Sequence, residues 1–291
     1  MHTKSVKWGA RHWFFFVLSY AFGKLALLWE VRRPKWRFLL YELRHSFAGL
    51  INTFIPYFIP TTLFAGSELL ETRHERFLLR PRSRDASVVS PAFEREDRRY
   101  LRRILDLEFA HGGRVGFLDI GAHIGAFSVR VAKYGRKHGL KTWAFEPIPE
   151  NFARLQANLQ LNGLDETVVT PFNFALGERS ETASMSFSSQ FSSDAQLVST
   201  APTGPYQTVQ VRRADELLKD LPPVLILKID VEGHEYPVLK GMAGILNTCK
   251  TCWLCIEDGT HGEVLHAHLR QFGFQFDRKI SPYNSWWRIQ R

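Results

Sequence analysis

Phe117-Leu118-Asp119-Ile120-Gly121-Ala122-His123-Ile124-Gly125-Ala126-Phe127-Ser128 decides how this chain of 291 residues folds. An apolar run suited to a buried strand ends in an acid. Two glycines follow, four positions apart, and then a segment with Phe127, Val131 and Tyr134 at helical spacing begins. That order predicts a strand, a tight loop and a helix whose N–H groups face a bound ligand. A dinucleotide loop, G-x-G-x-x-G, needs a third closely spaced glycine where the backbone meets the pyrophosphate. Here the second-glycine position is His123, which leaves two phosphates little room.

Working outward, Lys141 to Pro147 reads as a second buried strand ending in Glu146, 21 residues after Gly125. A carboxylate at the end of the second strand of a Rossmann-like sheet accepts hydrogen bonds from ribose hydroxyls. Pro149 opens a helix with Phe152, Leu155 and Leu159 on one face, and Asn162-Gly163 ends it. Val168 to Phe174 reads as a third strand, and the loop holding Asn173 and Ala175 would face the adenine end of a nucleoside pocket.

The run Leu225 to Glu235 contains Lys228, Asp230 and Glu232 at alternate positions. On a strand those three side chains project together. Charges at the carboxyl end of a buried strand are costly unless they act there, and in open α/β sheets that rim is where ligands sit. The structural alternative is a Lys228–Asp230 ion pair and nothing more.

Taken together, Asp119-Ile-Gly-Ala-His-Ile-Gly125, Ala144-Phe-Glu-Pro with Glu150-Asn151, Asn173-Phe-Ala-Leu and Lys228-Ile-Asp-Val-Glu-Gly-His-Glu235 resemble the FkbM-type methyltransferases over residues 85–280. The resemblance implies an α/β fold, a seven-stranded Rossmann-like sheet with helices on both faces. It also implies S-adenosylmethionine as methyl donor and methylation of a hydroxyl on a sugar, lipid-linked glycan or natural product. That donor carries no phosphate, so His123 obstructs it less. By position, Asp119, Gly121 and Gly125 would line its methionine end and Glu146 its ribose. Ala122, His123, Asn151, Asn173, Ala175 and Asp230 complete the expected cofactor-binding set.

Asp230, Glu232 and Glu235 would stand on the reaction side. A hydroxyl acceptor needs help losing its proton, and the candidate bases are Asp230, Glu232, His234 and Glu235. Glu232 is favoured because it sits just past the strand end; His234 follows, its pKa being near neutrality. No resident metal is expected. The alternative pairs Asp230 with Glu257 or Asp258 around Mg²⁺, which would lower the hydroxyl pKa instead.

The net charge of +9 is uneven. Residues 1–113 hold 19 Lys and Arg against 11 Asp and Glu, a net of +8, and the remainder hold 19 against 18, a net of +1. The basic part is also apolar: Trp13 to Trp29 carries only Lys24, and Ser46 to Ser67 carries no Lys, Arg, Asp or Glu. The division expected is an apolar, basic helical extension over residues 1–84 and a catalytic domain over 85–291. A bilayer crossing takes about 20 apolar residues. The first segment is short, and Pro56 and Pro60 interrupt the second.

One crossing would place the catalytic domain outside, away from its donor; two would place Arg32, Arg33, Lys35 and Arg37 outside, against the positive-inside rule. Residues 13–67 are therefore expected to lie in the inner leaflet, making the protein peripheral or monotopic on the inner face of the cell membrane. The alternative is a soluble cap or dimer contact. No small-residue cleavage site follows Leu28, which argues against a signal peptide. No nucleic-acid module is present, and no nucleic-acid partner is expected. Besides a membrane-surface enzyme, a soluble natural-product O-methyltransferase and a non-catalytic scaffold remain as alternatives.

The rest of the chain supplies Glu94–Phe109 as a charged helix, Tyr236–Leu246 as a helix, Thr251–Ile256 as a strand and His261–Phe272 as a helix. Two closing strands follow at Phe274–Asp277 and Ser285–Ile289. Residues 183–207 are rich in Ser, Thr, Gly and Pro and admit two readings, a substrate lid or a plain β-excursion. Cys249, Cys252 and Cys255 are expected to be reduced, buried thiols and not a metal centre. Odd spacing puts the latter two on opposite faces of their strand. His261, His266 and His268 do not share one helix face and are not expected to bind metal.

Overall fold

The structure is a computed structural model. It describes Val31–Arg33 and residues 68–80, 83–91, 93–188, 191–198, 206–258 and 262–291. Nearly all of the segment 13–67 lies outside the described residues. No helix among the described residues is long and apolar enough to cross a membrane. The chain divides into two compact units, one of Gly9–Arg95 and one of Glu96–Arg291 together with the first eight residues.

In the first unit, β1 (Val31–Arg33), β2 (Glu68–Thr72) and β3 (Arg76–Leu79) form an antiparallel sheet. Just past β3, Arg80 forks onto Asp85 at the start of the short helix α1 (Asp85–Val88): its Nη2 donates to Oδ1 at 2.6 Å and its Nε to Oδ2 at 3.0 Å. Both side chains are buried, and two parallel charge-assisted bonds offset their desolvation.

Helix α2 (Arg95–Ala110), all but its first residue in the larger unit, carries Tyr100, Leu101, Ile104 and Leu105 at helical spacing on its buried face. Strand β4 (Val115–Ile120) follows, entirely buried, then α3 (Ala126–Gly135), β5 (Lys141–Phe145), α4 (Pro149–Leu161) and β6 (Val169–Phe172). The chain then builds a second sheet from β7 (Ala175–Leu176), β8 (Glu181–Ser188), β9 (Phe191–Val198) and β10 (Tyr206–Arg212). Short helix α5 (Ala214–Leu217) leads back to β11 (Val224–Ile229). After it come α6 (Glu235–Gly241), α7 (Ala243–Thr248), β12 (Thr251–Glu257), α8 (Gly262–Gln271), β13 (Gln275–Lys279) and β14 (Asn284–Gln290).

The main sheet has seven strands in the order β13-β14-β12-β11-β4-β5-β6. Ladders within β6-β5-β4-β11-β12 are parallel, and β14 runs antiparallel to both neighbours. Alternation along each strand sorts the core into two layers. Phe117, Ile226, Trp253 and Trp286 pack with α2 and α3, whereas Leu118, Leu227, Leu254 and Trp287 pack with α6, α7 and α8. Helices thus cover both faces, as the Rossmann-like reading expects. Burying each large apolar side chain contributes about 1.5–3 kcal/mol. Two buried acids complete the first layer: Trp286 Nε1 donates to Asp97 at 2.8 Å and Trp253 Nε1 to Glu108 at 2.7 Å.

Two sequence expectations change. The helix expected over Tyr236–Leu246 breaks at Met242, whose φ of −121° separates α6 from α7. The third strand stops at Phe172, and Ala175–Leu176 pairs instead with Val211 and Arg212 of β10. The described part of 183–207 is the β8–β9 hairpin and the start of β10, so the β-excursion reading holds there.

Candidate active site

From β4 the chain runs out to β5 and β6 on one side and returns to β11 and β12 on the other. In such sheets the crevice for a ligand opens where the order reverses, outside the carboxyl ends of the strands. That point lies between β4 and β11, and the acids singled out from the sequence stand around it.

The loop after β4 is held on both sides. Gly121 N and Ala122 N donate to the carbonyl of Phe145, at 3.0 and 2.9 Å. Gly121 has φ +85°, and a Cβ there would collide with the carbonyl oxygen of Asp230, so only glycine lets β4 and β11 close up. His123 adopts φ +50°, and its N–H donates to Glu146 Oε2 at 2.8 Å. Gly125, at φ +86°, precedes α3, and a Cβ there would lie 2.5 Å from Leu155 Cδ1 of α4. Both glycines therefore have packing reasons that need no ligand.

Glu146 is the knot of this half. Its Oε1 accepts from Ile148 N at 2.9 Å and from Asn151 Nδ2 at 3.2 Å, while Oε2 holds His123 N. Asn173 Nδ2 donates to the carbonyls of Glu146 and Pro147 at 3.0 and 3.1 Å. Four of the expected cofactor residues thus form one hydrogen-bonded assembly that fixes the ends of β4, β5 and β6. Ala175 is buried and begins the second sheet.

The other half is organised by Lys228. It stands opposite Asp119 in the β4–β11 ladder, its Nζ lies 2.6 Å from Asp230 Oδ2, and the ammonium rests 4.8 Å from the Phe127 ring centre. Asp119 is buried and accepts from Ser128 Oγ at 2.6 Å. Burial raises its pKa, and Lys228 and Ser128 recover only part of that shift. Burial acts on Asp230 too, but there the adjacent charge and hydrogen bond of Lys228 prevail and hold the carboxyl below its ordinary range.

Strand β11 ends at Ile229, so Asp230 and Val231 lie in the following turn and not in the strand as expected, together with Glu232, which was expected past the strand end. Glu232 takes φ +52° and Gly233 φ +98°, and this reversal brings Glu232 back toward Asp230. Carboxylate oxygens of Asp230, Glu232 and Glu257 all lie within 4.8 Å of one another. Among the described residues, this is the group placed to share a metal ion. Burial and the charges of Asp230 and Glu232 push Glu257 up to about 8.

The remaining candidate bases stand apart. His234 precedes α6 beside Gly177, with Glu181 as its charged neighbour; burial lowers its pKa and that neighbour raises it less. Glu235 is buried in the first turn of α6, where its Oε1 accepts from Gly233 N at 3.1 Å, and burial raises its pKa. Asp258, the other option beside Glu257, accepts from His266 Nε2 at 2.9 Å and Lys279 Nζ at 2.8 Å, away from the carboxylate group. His268 stacks on Tyr236, and His261 lies outside the described residues.

Glu257 was named from the sequence only as a possible Mg²⁺ ligand beside Asp230, and its meeting with Glu232 was missed. The available signal was an acid ending the strand beside the one that leads into Asp230. The donor set suits a cationic ligand lacking phosphate: carboxylates dominate the rim, its lysine is committed to Asp230, and His123 occupies the place where a pyrophosphate would approach.

Residues 119–278 match the methyltransferase FkbM domain. The hexuronic acid methyltransferase AglP of Haloferax volcanii is 30% identical over 132 residues, covering 45% of this chain and 51% of that protein. Methyltransferase 1 of Beauveria bassiana is 27% identical over 147 residues, covering 43% and 57%. The chain spans about half the length of the curated relatives it matches. A crystal structure of an FkbM methyltransferase from Methylobacillus flagellatus is 19% identical, with a TM-score of 0.43, covering 60% of this chain and 43% of that one. With more than half of its residues matched, from Asp119 to Arg278, the chain belongs to the FkbM methyltransferase domain family.

Proposed function

We propose that this protein is an S-adenosylmethionine-dependent methyltransferase that methylates a hydroxyl of a sugar, glycolipid or lipid-linked intermediate at the inner membrane surface. The observation that carries the reading is the convergence of Asp119, Glu146 and Asp230 at the ends of three adjacent parallel strands, around the His123-bearing loop. Family membership supports methyl transfer, and the resemblance to a hexuronic acid methyltransferase supports a sugar acceptor. The apolar, basic residues 13–67 support a membrane setting.

When bound, S-adenosylmethionine supplies a methyl group on a positively charged sulfur. Glu146 would hold the ribose, its own geometry fixed by Ile148, Asn151 and His123. Asp230, kept ionised by Lys228, would supply negative charge to the cationic donor. The acceptor hydroxyl must be held in line at about 3 Å, so positioning supplies much of the rate. Its proton passes to the Glu232–Glu257 pair. Of the two, Glu257 has the affinity matched to work near neutral pH, because a general base is most effective when its pKa lies near the operating pH.

The test is methyl transfer from labelled donor into a membrane extract, run with the wild type and with Glu232→Gln, alongside calorimetry of donor binding. The reading expects labelled glycan or lipid from the wild type, and a variant that binds donor but turns over at least about 100-fold more slowly. Failure of the wild type to bind donor would remove the methyltransferase assignment; turnover unchanged in the variant would remove only Glu232.

A further inference from the structure

From the end of β5 into α4 the chain reads Glu146-Pro147-Ile148-Pro149. Neither proline has an N–H, so Ile148 supplies the main-chain donor of this turn. It donates to Glu146 Oε1 at 2.9 Å. Its carbonyl accepts from Phe152 N at 2.8 Å, which ties the same residue to the first turn of α4. A residue before proline is confined to extended backbone, and Ile148 lies there with φ −78° and ψ 117°. The place of its side chain and the direction of its N–H are therefore fixed together.

What buries that side chain is the second sheet. Met185 of β8 and Val209 of β10 are buried in one cluster with Ile148, and Leu197 of β9 packs against it. The registers put the three sheet residues on one face. Met185 stands opposite Leu197, and Ala183, two positions before Met185, stands opposite Val209. The other face turns Thr208 and Gln210 to solvent. The cluster is separate from both layers of the main core. Among the described residues, its buried member from outside the second sheet is Ile148, the residue that donates to Glu146.

We propose that the second sheet positions the donor site: through Ile148 it holds the Glu146 carboxylate in place to receive the ribose of S-adenosylmethionine. Ile148, Met185 and Val209 are positioning residues that act through Glu146, and the proposal rests on the reading of Glu146 as the ribose acid. Shortening the apolar cluster lets the Ile148 side chain move and its N–H swing away. The carboxylate then loses one of the donors that fix it before the ligand arrives. A preorganised acceptor costs less to bind, so donor affinity falls through the ribose contact.

Val209→Ala and Met185→Ala shorten the cluster and leave every hydrogen-bonding partner of Glu146 in the chain. Affinity of the full-length protein for labelled S-adenosylmethionine is measured by equilibrium dialysis, with each variant made alone and on Glu146→Ala. Either variant should weaken binding about tenfold alone and less than about twofold on Glu146→Ala, where no carboxylate remains to be positioned. In the ligand-free protein, hydrogen exchange at the Ile148 amide should quicken in both variants while exchange at Leu118 in β4 stays slow. Equal affinity losses with and without Glu146 would mean a general weakening of the fold and would overturn the proposal. So would unchanged donor affinity in both variants, or unchanged exchange at Ile148. Undiminished binding by Glu146→Ala alone would instead remove the ribose reading underneath. Met185 and Val209 come from different strands, so either variant carries the test where the other folds poorly.

Discussion

The carboxyl groups of Asp230 and Glu257 meet across the ends of adjacent parallel strands, within 4.8 Å of each other and of Glu232. Such a group cannot hold three full charges cheaply, and Glu257 retains its proton up to about pH 8 because of burial and its two neighbours.

A pH profile follows from this. The proton-accepting form of Glu257 is present above its folded pKa, so the methyl-transfer rate of the wild type should climb as pH rises through about 8. Glu257→Gln should lower the rate by about 10²–10⁴-fold and abolish that climb. The fold should respond with the opposite sign. A carboxyl whose folded pKa is raised stabilises the native state at low pH, and that contribution fades as pH rises through the folded value. Melting of the wild type should therefore fall between about pH 4.5 and 8 more steeply than melting of Glu257→Gln. Initial rates and melting temperatures across the range check both, and a flat wild-type rate profile would refute the role.

Gly121 and Gly163 make a controlled pair. Both have positive φ, +85° and +65°, but a Cβ at Gly121 strikes the Asp230 carbonyl oxygen whereas at Gly163 it meets open space. Gly163→Ala should cost about 1 kcal/mol, the conformational penalty alone. Gly121→Ala must in addition push β4 away from β11, and should cost several times as much and weaken donor binding. Urea unfolding and calorimetry separate the two. Equal losses would mean that the close approach at Gly121 matters little.

Much of this was legible in the sequence because the central strands β4, β5, β11 and β12 are short, largely apolar runs, and β4, β5 and β11 lead into acids. Asp119, Glu146 and Asp230 were found for the same reason, each standing at the end of such a run. The break at Met242 was not legible, since apolar spacing continues through it. Most of the second sheet lies in a Ser- and Thr-rich stretch with little apolar patterning, though Met185, Val209 and Val211 are buried among its described side chains. Partners of Glu146 and Glu257 depend on register between strands far apart in the chain. No local pattern records that register, so a capping Glu235 and a clustered Glu232 looked alike.

Lys228 is the cation on which the buried Asp119 and the partly buried Asp230 both depend. Removing it by Lys228→Met leaves Asp119 and Asp230 facing each other uncompensated. Breaking a buried pair costs about 3–5 kcal/mol. The lower end applies here because the Asp230 side chain is 31% exposed against 6% for Lys228. The variant should therefore lose about 3 kcal/mol near neutral pH and regain part of it in acid, where Asp230 takes up a proton. Denaturant titrations at two pH values test this, and a loss independent of pH would indicate simple cavity formation.

Chelation separates the two ways the carboxylates at the rim can serve the acceptor. If Asp230, Glu232 and Glu257 handled a hydroxyl only through a bound divalent ion, EDTA would stop turnover and Mg²⁺ would restore it. Direct proton transfer needs no ion, and the raised pKa of Glu257 arises from burial and the charges of Asp230 and Glu232. Turnover by protein dialysed against EDTA should therefore match that of untreated protein within a factor of about two, and added Mg²⁺ should leave the pH profile in place. Loss of activity on dialysis, with recovery on adding Mg²⁺ back, would transfer the role from Glu257 as base to the three carboxylates as ligands.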